Sequence, residues 1–184
     1  IERLPDIAAQ FLRDEDVNVS QIANALKDEQ ALLFVGGGPN WFSAREGALK
    51  IEEEASLLCK TYRPAEYVHN AIPLLSEGTT TVVVAPPGKS YVRLHDAVRT
   101  SRAARSPSLA VVVEGDDTLA PDANFVIAVP TPLRELLMPP VAAIAFQLLG
   151  YYLGSERGIN PDTLRTDDLD HARAWLTAFP FGSH

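Results

Sequence analysis

The stretch Ala31-Leu-Leu-Phe-Val-Gly-Gly-Gly-Pro-Asn-Trp41 sets an unbroken apolar run directly against three glycines. An apolar run without alternation reads as a strand covered on both faces, and the glycines stop it at a turn. Similar runs recur at 80–85, 109–113 and 125–129, each bounded by Pro, Gly or Asp. Between them lie segments with helical spacing at 42–58 and 91–103, and a third entered through Pro139 and Pro140 and running to Leu153. Strand and helix alternate, which predicts an α/β three-layer sandwich, a parallel, doubly wound sheet with helices on both faces. In such a sheet ligands bind beyond the carboxyl ends of the strands, so the Gly36 turn is the first place to look.

Ahead of the first strand, two short helical patterns are expected at 7–12 and 22–26, the second capped by Ser20, as a lead-in over residues 1–28. After the last long helix, residues 158–184 read as a tail carrying one polar helix near 168–176, with Trp175 packed on the domain. A length of 184 residues suits one domain spanning the chain. The formal charge of −8 offers no general attraction to nucleic acid or to a membrane surface, and neither is an expected partner. The apolar stretch 141–153 reads as a buried helix too short for a bilayer, which takes about 20 residues. The residues from Ile1 open no leader pattern, and the lone Cys59 fits a reducing compartment, so a cytoplasmic location is expected.

The glycine turn lacks the third glycine of the dinucleotide fingerprint, because Trp41 stands there. No nicotinamide cofactor is indicated, and neither cofactor nor metal is expected. Gly36, Gly37 and Gly38 either let a ligand approach backbone amides closely or only permit a tight turn. In the helix that follows, Ala44, Ala48, Ile51, Ala55 and Leu58 share one face, which is expected to pack on the sheet. Glu46, Lys50 and Glu53 share the opposite face, with one ammonium between two carboxylates. On an arbitrary helix that is an exposed ion-pair stripe.

These residues carry a resemblance. Phe34-Val-Gly-Gly-Gly-Pro-Asn-Trp41, Glu46-Gly-Ala-Leu-Lys50, Glu53, Tyr62, Glu66 and His69 resemble the opening of the second sugar-isomerase (SIS) domain in the isomerase half of glucosamine-6-phosphate synthases. Gln147-Leu-Leu-Gly-Tyr-Tyr152 and Gly158-Ile-Asn-Pro-Asp162 resemble the last helix of that family and the turn after it. The resemblance implies interconversion of ketose and aldose phosphates through an enediolate. It puts Glu53 at the carboxylate that moves a proton between C1 and C2, and His69 at a ring-opening histidine that reaches a neighbouring subunit. Lys50 matches a lysine of the same helix. Gly36, Gly37, Gly38, Asn40, Glu46 and Glu66 become substrate-binding candidates. The implied partners are a phosphorylated sugar or aminosugar and a second copy or another SIS domain. His95 and His171 read as structural, and Cys59 as a core thiol.

The chain also departs from that pattern. The family grips phosphate with a Ser/Thr-rich loop of its first SIS domain, and the nearest string here is Ser76-Glu-Gly-Thr79. Asn70-Ala71 replaces a Gly-Pro pair, and the tail keeps Arg165 but has no lysine. Two functions are therefore expected to compete: an isomerase, deaminase or deglycase acting on a sugar phosphate, and a sugar-phosphate-binding or dimerisation module without turnover.

Overall fold

The computed structural model describes residues 3–130 and 134–180. The last residues of the tail lie outside the described residues. Five parallel strands, β1 (Ala31–Gly36), β2 (Leu58–Tyr62), β3 (Thr79–Val84), β4 (Ser108–Val113) and β5 (Phe125–Val129), form one sheet in the order β2-β1-β3-β4-β5. The helices are α1 (Leu4–Leu26), α2 (Asn40–Ala55), α3 (Pro64–Asn70), α4 (Tyr91–Ala103), α5 (Met138–Glu156) and α6 (Leu169–Ala178). α1, α2 and α5 cover one face of the sheet through Leu32, Phe34, Val82 and Val111. α3 and α4 cover the other through Leu33, Val35, Val83 and Ala110. This is the three-layer, doubly wound α/β sandwich that the alternating pattern predicts.

Three expectations are corrected. The helix expected to reach Leu58 stops at Ala55, because Ser56 turns left-handed at φ 48°, and Leu58 instead opens β2 at the sheet edge, 70% exposed. Such an edge strand is half wet, shows no apolar run, and so carries no sequence signal. The two lead-in helices are one, with Ser20 inside it rather than at its cap. No Gly or Pro separates them, and the polar middle of α1 is held from outside. Asn18 Nδ2 donates to the Val126 carbonyl at 2.8 Å, and Tyr152 donates to Asp16 at 2.6 Å. Finally, the apolar stretch judged too short for a bilayer belongs to a longer segment, Glu135–Glu156, that is long and apolar enough to cross one by length and composition alone. Its α5 part packs between α1 and α2 and buries Val141, Ala145, Phe146 and Leu149, as a core helix does.

α2 and α5 approach closely because small residues face each other. A Cβ at Gly47 would stand 2.5 Å from the Phe146 ring, and one at Gly154 would strike the Glu54 carbonyl. Arg157, just past α5, donates to the Ala55 carbonyl at 3.0 Å and to the Lys27 carbonyl at 2.6 Å. One guanidinium thus satisfies the open carbonyl ends of both α2 and α1. On the other face, Tyr67, Thr81 and Ser101 share buried hydroxyl hydrogen bonds at 2.6–2.8 Å that lock α3 and α4 to β3.

Candidate functional site

The glycine turn is filled by the protein itself. Gly37 lies against Ser90 at the start of α4, and the carboxylate of Glu135 lies beside Gly38 and Gly88, so side chains of this chain take up the close approach that these glycines permit. Gly36 has no room for a Cβ because the Asn40 carbonyl folds back on it, and Gly38 sits at φ 55°, where glycine costs least. Asn40 is 1% exposed; its amide donates to the Glu135 carbonyl at 3.3 Å and accepts from Ser43 at 3.1 Å. Glu66 caps α3, accepting from the Arg63 amide at 2.9 Å.

Glu53 lies at the far end of α2 from the turn, about 20 Å along the axis at 1.5 Å per residue. Lys50 Nζ donates to Glu53 at 2.6 Å, with side chains 21% and 34% exposed, so the pair is only partly open to water. The hydrogen bond that Lys50 donates to Glu53 raises the Lys50 pKa, against the pull of burial and with help from Glu46. The tail comes back over this end of α2. Glu52, Glu53 and Ser56 form one wall of a cleft of about 390 Å³, and Leu164, Arg165, His171 and Trp175 form the other.

The tail takes that position through local hydrogen bonds. Asp168 caps α6, accepting from the amides of Asp170 at 3.1 Å and His171 at 3.0 Å, and its Oδ1 lies 2.7 Å from His171 Nδ1. The His171 hydrogen bond above all holds the Asp168 carboxyl down at about 2. An ionised carboxylate only accepts, so Nδ1 carries the proton and Nε2 is left for a ligand. Trp175 Nε1 donates to the Leu164 carbonyl at 3.2 Å. The sequence reading treats His171 as structural and assigns no site to the tail; nothing in local pattern ties it to α2. His95, by contrast, pairs with Asp122 at 2.7 Å and joins α4 to the turn before β5.

His69 is exposed at the end of α3, under the opposite face of the sheet from α2. One chain does not bring it to Glu53. A cavity of about 740 Å³ is a separate groove along the outside of α2, lined by Phe42, Glu46, Leu49 and Lys60. It contains Glu46 but neither Glu53 nor a histidine. Glu46 is thus near Lys50 electrostatically while its own side chain borders a different groove.

Next to the cleft, the Glu54 side chain presses into the notch left by Gly150. Burial pushes its carboxyl from 4.5 to about 7, with Lys50 opposing and Glu53 and Asp162 adding to the rise. The folded state holds a proton that the unfolded chain releases from about 4.5 upward, so this stability is full below that value and lost as pH rises through about 7. Glu54→Gln is expected to flatten urea-melt stability between pH 5 and 7. At pH 8 it should exceed the parent by about 1 kcal/mol, a value discounted for the carboxyl's partial exposure. An unchanged slope would show that Glu54 is ionised throughout.

A family model described as SIS domain matches residues 25–153. The chain belongs to the SIS domain family. This SIS domain is 31% identical over 165 residues to glutamine–fructose-6-phosphate aminotransferase [isomerizing] of Chlorobaculum tepidum, covering 90% of this chain and 26% of that protein. It spans 26–28% of the curated relatives of that description. Among solved structures, the C-terminal domain of glucosamine-fructose-6-phosphate aminotransferase from Francisella tularensis aligns with TM-score 0.74 at 21% identity, over 87% of this chain and 44% of that one. The Vibrio vulnificus NanR protein complexed with ManNAc-6P aligns with TM-score 0.71 at 12% identity, over 97% and 69%. At those identities the two structures establish a shared fold.

Proposed function

We propose that this SIS domain acts on a phosphorylated sugar or aminosugar in aldose–ketose isomerisation, with Glu53 carrying the proton between C1 and C2. The observation that carries the reading is Glu53, hydrogen-bonded by Lys50 Nζ at 2.6 Å, standing in a cleft whose other wall is the tail. A carboxylate that moves a proton at carbon needs a site of limited water and a cation near the developing enediolate, and Lys50 supplies that charge. Relationship to aminotransferases described as isomerizing supports the same chemistry. Because His69 stands on the other side of the sheet, it joins a Glu53 only from a second copy, and we propose a dimer for that step. Light scattering is expected to give twice the chain mass at working concentration; a monomer that still turns substrate over would remove His69 from the site.

The test is exchange of the C2 proton of glucosamine 6-phosphate, and of the C1 protons of fructose 6-phosphate, in deuterated water, followed by NMR. Deuterium incorporation together with formation of the partner sugar is expected. A second reading, a binding module without turnover, is favoured by the Glu135 carboxylate at the glycine turn, which repels an anion where the strand ends would otherwise receive one. Heat on titration with a hexose phosphate and no deuterium uptake would decide for that module.

A further inference from the structure

We infer that His171, aimed by Asp168, is the acid–base catalyst that works opposite Glu53 within one chain, moving the proton between the substrate oxygens while Glu53 moves the one between carbons. The inference rests on the isomerase reading of Glu53 and adds a residue on which that reading is silent. His171 and Glu53 stand on facing walls of the same 390 Å³ cleft, large enough for a hexose phosphate. Asp168 fixes both the position of the ring and its tautomer, since the same carboxylate caps α6 and holds Nδ1. Arg165 is the cation on that wall, 3.7 Å from Asp168, within reach of an anionic substituent.

Backbone strain collects at this place. Four non-glycine residues among those described have positive φ, and three of them, Ser56 (48°), Leu164 (48°) and Arg165 (61°), line this cleft. Each is a disfavoured backbone conformation that persists only where the surroundings impose it, which marks the cleft as built rather than incidental. The Trp175 hydrogen bond to the Leu164 carbonyl is one such imposition.

The chemistry balances with these two groups alone. Glu53 takes the proton from C2 of an open-chain aldose; the C–H electrons form the C1–C2 double bond, and the carbonyl electrons move to O1. The neutral ring takes the proton of the O2 hydroxyl at Nε2 and passes it to O1. The electrons left on O2 form the C2 carbonyl, and the C1–C2 double-bond electrons take back at C1 the proton held by Glu53. Both side chains end as they began.

The experiment measures deuterium exchange at carbon for the full chain and for His171→Gln, with ¹⁵N NMR of the imidazole on adding 5-phosphoarabinonate, whose carboxylate resembles the enediolate. His171 lies at the surface of α6, so the variant is expected to fold, checked by its circular dichroism. An exchange rate about 10²-fold lower with KM changed less than threefold, and a shift of the His171 Nε2 signal on adding the arabinonate, are expected. Exchange within threefold of the parent overturns the inference, as does an Nε2 signal that the ligand leaves unmoved. If the parent chain exchanges nothing, the isomerase reading of Glu53 fails by itself. The Nε2 signal then decides alone: a shift keeps His171 as the ligand's hydrogen-bond partner in this cleft, and none removes it.

Discussion

Glu53→Gln is expected to lower proton exchange at carbon by on the order of 10³-fold, with KM within about threefold of the parent. The amide keeps the shape of the carboxylate and can still accept a hydrogen bond from Lys50, so binding and local packing are preserved. What it cannot do is hold a proton taken from carbon. Glu52 borders the same cleft but accepts from the Cys59 amide at 3.3 Å, and Glu54 is turned into the α5 notch. Loss of the ion pair costs stability little, since a partly exposed pair contributes about 1 kcal/mol or less. Stopped-point NMR of the exchange and a parallel urea melt separate the two effects. Turnover within threefold of the parent would move the base elsewhere and take the proposed reaction with it.

Phe146→Ala carries the largest expected loss of stability, about 3–5 kcal/mol. The ring is fully buried on α5, meets Phe34 of β1 edge to face at 5.4 Å and 75°, and lies directly over Gly47 of α2. It therefore joins two helices and the sheet, and little can collapse into the space it would leave. The companion change Gly47→Ala is expected to destabilise the parent, because the added Cβ meets the ring at 2.5 Å. In the Phe146→Ala background the same methyl enters the cavity and its cost should vanish or reverse, a coupling readable in a double-mutant cycle of urea melts. Additive losses would mean that α2 shifts away from α5 instead of clashing with it.

Much of the fold can be read along the chain. Apolar runs such as Leu32 to Val35 have one explanation, a strand buried on both sides, and β3, β4 and β5 announce themselves the same way within a residue or two. α4 matches its expected limits because its helical spacing is bounded by the Gly88 turn and by the Pro107 turn before β4. β2 escapes because one side of it has no neighbour and its residues are mixed. α1 is split by the eye because its polar middle looks like a linker until Val126 and Tyr152 are brought against it.

The site divides along the same line. By itself the sequence determined the parallel sheet, the glycine turn and a helix that sets Lys50 one turn before Glu53, because each rests on spacing within a single element. Only the tertiary structure decided that Glu135 and Ser90 occupy the glycine turn, that the sheet stands between Glu53 and His69, and that the tail returns to put His171 across from Glu53. Those outcomes depend on which faces of distant elements pack together, and a repeat of 2.0 or 3.6 residues specifies which side of an element is buried but not what buries it.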